Sequence, residues 1–204
     1  MSVGSALLIG ELVTSLAVQA VAAKTMFIAP NGIRSSTRFV ASCFVTCGLT
    51  QALVLSLIAI STGEAAIGSL LYICGLGLFV ATCRANRPRL LSVAFSEDVP
   101  QHLVVWGPYK YIRHPYYASY CITWLAGAAA SGNPIMAGTF LLMLTIYMWA
   151  ARFEERKFLK SCYAAAYNRY RHTTGMLIPY LWTRLPLSAK LLHQRGSASI
   201  DIRF

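Results

Sequence analysis

Charged side chains, and acidic ones above all, are scarce in this 204-residue chain. Only 12% of the residues are charged, about half the share found in a typical soluble protein. Seven residues are Asp or Glu, against 18 Lys and Arg, which gives a formal net charge of +11. Apolar residues make up 56% of the chain, which excludes a disordered protein and argues against a soluble nucleic-acid-binding domain. Sparse charge of one sign in an apolar background predicts an integral membrane protein.

Apolar runs are present at five places. A transmembrane helix needs roughly 20 mostly apolar residues to cross about 30 Å of hydrocarbon. Runs of about this length occupy residues 6–23, 39–60, 65–83, 115–130 and 134–151. The last two are joined only by residues 131–133, so we expect them to form an antiparallel hairpin. Since no internal repeat and no second soluble domain is visible, the sequence predicts an all-α membrane protein with about five transmembrane helices.

The cations lie in three segments between and after these runs. They fall at positions 24–38, 84–113 and 152–203, whereas the loops at 61–64 and 131–133 contain none. Five spans place all 18 cations on one face, which is the positive-inside pattern and puts the C-terminus in the cytosol. The first run has no basic stretch ahead of it, so we interpret it as an uncleaved anchor and not as a signal peptide.

The six cysteines form neither a disulfide framework nor a set of metal ligands. Five lie in or at the edge of the apolar runs, where Cys behaves as a small hydrophobic residue: Cys43, Cys47, Cys74, Cys83 and Cys121. Cys162 follows the last run and is expected to be reduced in the cytosol. No His or carboxylate lies near Cys43 and Cys47 in the sequence, so we predict no metal site.

The segment at 101–120 is the first candidate for chemistry. Gly107 and Pro108 indicate a turn, and Arg113 and His114 come just before Pro115, which suits the first turn of a helix. An Arg, a His and the backbone donors of a helix N-terminus together suit an anionic group. The alternative is an interfacial belt, because Tyr and Arg collect at membrane surfaces.

The segment at 152–171 is the second candidate. Its apolar residues recur at spacings of three and four, which predicts an amphipathic helix that lies along the membrane surface or folds back over the spans. Glu154 and Glu155, two of the seven acids, open this predicted helix. They either take part in a site or are solvated charges at a helix start, where they suit the helix dipole.

Three features together resemble one known family. They are Gly107-Pro-Tyr followed by Arg113-His-Pro-Tyr-Tyr, the Glu pair after the last run, and Tyr167-x-x-Tyr170 followed by Ile-Pro at 178–179. This pattern is similar to the membrane-embedded methyltransferases that include protein-S-isoprenylcysteine O-methyltransferase and the phospholipid N-methyltransferases. The resemblance covers about residues 84–180. Together with the apolar runs, it predicts three N-terminal transmembrane helices over 1–83, a catalytic core with two transmembrane helices over 84–182 and a cytosolic tail over 183–204.

The resemblance implies S-adenosylmethionine as cofactor, held between the cytosolic loop and the C-terminal helix. The implied cofactor contacts are Gln101, His102, Leu103, Val104, Tyr109, His114, Pro115, Tyr116, Tyr117 and an acid from Glu154 or Glu155. The implied catalytic residues are Arg113, His114, Arg152, Glu154 and Glu155, with Arg152 facing the acceptor. The chain departs from the family at Ser119, where Gly is usual, and at Cys162-Tyr163, where Phe-Gly is usual.

Several functions are compatible with these features. The leading interpretation is methylation of an isoprenylcysteine-type carboxylate, followed by methylation of a lipid amine or a small lipophilic metabolite. A sterol-reductase-like enzyme that uses NADPH and a non-enzymatic transporter or scaffold are the alternatives. The expected partners are membrane lipids and a lipophilic or prenylated substrate, with no nucleic acid. We expect the endoplasmic reticulum in a eukaryote or the inner membrane in a bacterium, with the site on the cytosolic side.

The charge distribution makes a testable prediction about topology. Single cysteines placed at residues 62 and 132 of a cysteine-free variant should react with an impermeant maleimide added outside intact cells. A cysteine at 110 should react only after the membrane is opened. Labelling of residue 62 from the cytosolic side alone would contradict the five-span topology.

Overall fold

The computed structural model describes residues 1–28, 35–87, 91–92, 100 and 102–180. Its helices are α1 (Val3–Met26), α2 (Ser35–Leu57), α3 (Thr62–Asn86), α4 (Pro115–Ser131), α5 (Pro134–Leu159) and α6 (Ala164–Thr173). A 3-10 turn spans Gly107–Lys110, and two-residue strands at Phe27–Ile28 and Leu91–Ser92 pair in parallel. The prediction of an all-α membrane protein is confirmed.

Four helices are long and apolar enough to cross a bilayer: α1, α2, α3 and α5. Helix α4 has 17 residues and is therefore about 25 Å long. It packs antiparallel to α5 and makes its most extensive contact with α3. The predicted hairpin between α4 and α5 forms, because Gly132 ends α4 at φ 58° and Asn133 caps α5 by accepting from the Ile135 N–H.

Polar side chains inside the bundle hydrogen-bond between helices. The Gln19 amide of α1 donates to Thr123 of α4 at 3.1 Å, and the Gln51 amide of α2 donates to Thr139 of α5 at 2.9 Å. Ser69 of α3 donates to the Glu11 carboxylate of α1 at 2.9 Å. Hydrogen bonds between polar side chains stabilise the association of helices inside a membrane. These bonds therefore help to determine which helices are neighbours.

The second polar segment does not form the single helix predicted over 152–171. Helix α5 continues without a break through Leu159, and α6 begins only at Ala164. Ser161 interrupts the helix because its hydroxyl donates to the Phe158 carbonyl and accepts from the Tyr163 N–H, which offers the backbone an alternative to helical bonds. Glu154 and Glu155 therefore lie in the last turns of a long helix and not at a helix start.

All six cysteines are free, as predicted. Cys47 is buried and Cys43 is half-buried between helices, where both contribute to packing around Trp124. Within the described ranges, no group of three or more His, Cys, Asp or Glu residues could hold a metal ion.

The close packing of α3 can be tested at Gly68. A Cβ atom there would lie 2.7 Å from a methyl of Leu8 and 2.9 Å from the Ala130 Cβ. Gly68→Val should therefore lower the free energy of unfolding by about 1–3 kcal/mol. Gly77→Val on the same helix is the matched control, because a Cβ at Gly77 has no neighbour within 4 Å. Equal thermal stability of the two variants in detergent would refute this packing.

Candidate active site

The turn before α4 is anchored to the end of α3. Gly107 has φ 59°, a left-handed conformation that favours glycine, and its neighbour Trp106 donates from the indole to the Ala85 carbonyl at 3.0 Å. The Asn86 amide donates to the Tyr109 hydroxyl at 3.0 Å. The loop that carries the predicted cofactor contacts is thus held by the last turn of a membrane-spanning helix.

The residues just before α4 pair with the segment after α6. The Arg113 and His114 N–H groups donate to the carbonyls of Gly175 and Met176 at 2.8 Å and 3.0 Å. The Arg113 guanidinium donates to the Arg171 carbonyl at 3.0 Å and also to the Thr174 carbonyl. These bonds join the loop to the C-terminal end of α6.

A cluster of charged side chains forms where this loop meets α5. The Arg113 Nε lies 2.8 Å from Glu155 Oε1, and the His114 Nε2 lies 3.3 Å from the same oxygen. The other ring nitrogen of His114, Nδ1, lies 3.5 Å from Glu154 Oε2. The Tyr117 hydroxyl donates to Glu154 Oε1 at 2.5 Å. The structure therefore brings together five predicted site residues from two segments of the sequence.

The two glutamates differ in what remains available to a ligand. Glu155 is 13% exposed and interacts with both Arg113 and His114, whereas Glu154 is 29% exposed. Arg113 is only 7% exposed, and its guanidinium has three acceptors among the described residues. Glu155 and Arg113 therefore satisfy each other, while the carboxylate of Glu154 keeps an open side.

His114 is positioned to carry a proton on each ring nitrogen. Burial by itself lowers the pKa of His114, but the hydrogen bonds and charges of Glu154 and Glu155 outweigh burial and raise that pKa above its ordinary value. An imidazolium donates from both nitrogens, and each nitrogen faces a carboxylate. The geometry thus favours the charged form of His114.

Tyrosines form one wall beside the charged cluster. The Tyr117 ring stacks on His114 at 5.7 Å between centroids and on Tyr147 at 5.5 Å. The Tyr120 ring lies 5.4 Å from Tyr147. Tyr147 comes two helical turns before Glu154 on α5, so its place on the same face could be deduced from the spacing, but it is not among the predicted site residues. Asn86 and Tyr120 were also missed.

The other predicted site residues differ in how deeply they are buried. Leu103 is buried in a group with Tyr163, Tyr167 and Tyr170, and Val104 beside it is buried too. Pro115 is buried at the start of α4, and the Tyr116 ring packs against Phe79 of α3 at 5.5 Å. His102 and Arg152 are exposed, and Gln101 falls outside the described residues.

The buried imidazole makes a testable prediction about stability. Because the pKa of His114 is raised in the folded state, its charged form stabilises the fold fully below its ordinary pKa of about 6.5, and this contribution is lost as pH rises through the folded-state pKa. The difference in Tm between the wild-type protein and His114→Gln should therefore shrink between pH 6 and pH 9 in detergent. His172→Gln, at an exposed position on α6, should show no such trend. A difference that grows with pH would contradict the charged imidazolium.

A comparison with known protein families gives a match. The phospholipid methyltransferase family model matches residues 64–166, which is half of the chain and includes α4, α5 and nearly all of α3. No curated protein and no solved structure gives a match. The family indicates a methyltransferase enzyme that acts on lipid-like substrates. The chain belongs to the phospholipid methyltransferase family of integral membrane methyltransferases, which is related to the isoprenylcysteine carboxyl methyltransferases.

Proposed function

We propose that this protein transfers a methyl group from S-adenosylmethionine to a lipophilic acceptor at the cytosolic surface of the membrane. The observation that carries the proposal is the juxtaposition of the Tyr117 ring with the partly exposed carboxylate of Glu154 at the start of α4. When bound, the cofactor supplies a methyl group on a positively charged sulfur, next to an ammonium group and an adenine ring.

The chemistry of the side chains fits a cationic cofactor. Aromatic rings attract cations and stack on adenine, and Tyr117, Tyr120 and Tyr147 cluster beside the carboxylates. A carboxylate with an open side suits an ammonium group, so we assign that contact to Glu154. Glu155 is engaged by Arg113 and His114 and serves to hold the loop against α5.

The remaining cofactor contacts are proposed along the loop. We assign further cofactor contacts to Tyr109, whose carbonyl accepts from Tyr170 of α6, and to the backbone of Leu103 and Val104. His102 and Gln101 are proposed as further contacts of the cofactor. Pro115 and Tyr116 are buried against the bundle, and we assign to them the support of the first turn of α4.

Methyl transfer is a displacement in which the acceptor, the methyl carbon and the sulfur must lie in line. The protein therefore has to align two ligands and exclude water. Each ring nitrogen of His114 faces a carboxylate, so the cluster does not present an open histidine base to an acceptor. A carboxylate acceptor is already ionised near neutral pH and needs no base. We therefore propose an isoprenylcysteine-type carboxylate as the leading acceptor.

Arg152 is the residue proposed to meet that carboxylate. It is exposed on α5, one turn before Glu155, whereas the guanidinium of Arg113 is occupied by Glu155 and two carbonyls. A free guanidinium binds a carboxylate through two parallel hydrogen bonds. The acyl or prenyl tail would remain among the helices while the head group reaches the loop.

A lipid amine is the second candidate, and a specific observation favours it. Glu154 and the neighbouring tyrosines suit an amine head group as well as they suit the cofactor, because the same carboxylate can take up the proton that the amine releases. Arg152 would then face the phosphate of the lipid. Arg152 would thus bind a carboxylate in the first case and a phosphate in the second, and Glu154 would act as a base only for the amine.

A methyl-transfer assay with two acceptors tests the proposal. Purified protein in vesicles receives labelled S-adenosylmethionine and either a prenylcysteine analogue or phosphatidylethanolamine, and the product is identified by mass. Glu154→Gln should raise the Kd of the cofactor by about 10- to 100-fold, as expected for the loss of a charged hydrogen bond. His114→Ala and Tyr117→Ala should abolish cofactor binding while the protein still inserts into the membrane.

Measurements with the two acceptors separate the two candidate functions. For a carboxylate acceptor, Arg152→Gln should raise the KM of the prenylcysteine analogue about tenfold and change kcat much less. Arg156→Gln is the matched control, because Arg156 is also exposed on α5. Full activity in both His114→Ala and Tyr117→Ala would refute the site, and product from phosphatidylethanolamine alone would replace the leading acceptor with the lipid amine.

A further inference from the structure

Asn86, in the last turn of α3, is completely buried and was not expected to take part in the site. Its side-chain nitrogen donates to the Thr82 carbonyl at 2.9 Å and to the Tyr109 hydroxyl at 3.0 Å. Among the described residues its side-chain oxygen has no hydrogen-bond partner. An asparagine at the C-terminal end of a membrane-spanning helix thus donates a hydrogen bond to a tyrosine of the loop that carries the proposed cofactor contacts.

The direction of the hydrogen bond between Asn86 and Tyr109 follows from the Thr82 carbonyl. A carbonyl can only accept, so the group that faces it must be the NH₂ end of the amide and not the oxygen. The same NH₂ group donates its second hydrogen to Tyr109. The Tyr109 oxygen is therefore an acceptor in this bond, and its own hydrogen remains free to be donated elsewhere.

Other contacts fix the position of Tyr109. The Tyr170 hydroxyl of α6 donates to the Tyr109 carbonyl at 2.6 Å, and the Tyr109 N–H donates to the Trp106 carbonyl at 3.2 Å. The ring is half-buried, with the hydroxyl held from α3 and the backbone held from α6. The hydroxyl group of Tyr109 is therefore held in a defined position, from which its hydrogen can be donated to a ligand.

We propose that Asn86 is a positioning residue that keeps the Tyr109 hydroxyl as a hydrogen-bond donor to the methyl donor. This inference rests on the proposed function, since it assumes that S-adenosylmethionine binds beside Tyr109. The partner is an acceptor atom of that ligand, either the carboxylate of its amino-acid part or a ring nitrogen of its adenine. Helix α3 is then part of the cofactor site as well as of the membrane bundle.

A merely structural role for Asn86 makes a different prediction. If Asn86 only caps the end of α3, its loss weakens the loop whether or not Tyr109 has a hydroxyl. If it acts by orienting the Tyr109 hydroxyl, its loss should have no further effect once that hydroxyl is removed. A double-mutant cycle between the two residues tests whether Asn86 acts through that hydroxyl.

The test measures the Kd of S-adenosylhomocysteine by titration calorimetry on the full-length protein in detergent. Asn86→Leu and Tyr109→Phe should each raise the Kd by about 2- to 10-fold, the range expected for one hydrogen bond. The double variant should bind no more weakly than Tyr109→Phe alone. Asn168→Leu, the same substitution at an exposed position of α6, should bind as the wild type does. Losses that multiply in the double variant would overturn the proposal, as would wild-type affinity in Asn86→Leu.

Asn86→Asp provides a second variant of nearly unchanged shape if Asn86→Leu does not fold. A carboxylate at this position would accept the Tyr109 hydrogen, so the affinity should fall at least as far as in Tyr109→Phe. Wild-type affinity in Asn86→Asp would overturn the proposal. Failure of the wild-type protein to bind S-adenosylhomocysteine would refute the proposed function and this inference together, whereas binding with multiplying losses would refute this inference alone.

A second ligand assigns the acceptor atom. 5′-Methylthioadenosine has the adenine and ribose of the cofactor but lacks the amino-acid part. If Tyr109→Phe weakens its binding as much as that of S-adenosylhomocysteine, the partner of Tyr109 is a ring nitrogen. If the effect disappears with this ligand, the partner is the carboxylate.

Discussion

The carboxylate of Glu155 lies between the guanidinium of Arg113 and the imidazole of His114, at 2.8 Å and 3.3 Å. These groups are largely buried, and removing one partner of such a cluster leaves an unpaired charge, at a typical cost of several kcal/mol. Arg113 also binds the carbonyls of Arg171 and Thr174. A single carboxylate on α5 therefore holds the loop before α4 and, through Arg113, the end of α6. The positions of Tyr117 and Glu154 depend on this arrangement.

The bundle within the membrane gives this cluster a rigid base. Helix α4 carries His114 at its N-cap and packs against both α3 and α5. The position of the cluster is therefore set by the packing of these helices. Gln19 and Gln51 bond from the first two helices to α4 and α5, which fixes their neighbours without a charge in the bilayer. The first two helices thus support α4 and α5, and the end of α3 contacts the loop through the hydrogen bond from Asn86 to Tyr109.

Much of the helical architecture could be predicted from the sequence, because apolar runs and a proline at a helix start are local signals. The five runs, the turn at Gly107 and the start of α4 at Pro115 all lie where the sequence places them. The continuation of α5 to Leu159 was missed because the spacing of apolar residues does not reveal where one helix ends and the next begins. The separate environments of Glu154 and Glu155 and the contact from Asn86 to Tyr109 were also beyond prediction, because they arise only from packing between distant segments.

The central claim is that the methyl donor binds where the Arg113, His114 and Glu155 cluster meets Tyr117 and Glu154. The most direct measurement is an experimental structure of the full-length protein with S-adenosylhomocysteine bound. We expect the ligand between the loop and α6, with its ammonium group within hydrogen-bond distance of Glu154 and an acceptor atom next to the Tyr109 hydroxyl. Ligand density elsewhere, for example in the groove between α1 and α3 that Glu11 and Tyr72 line, would refute this binding site.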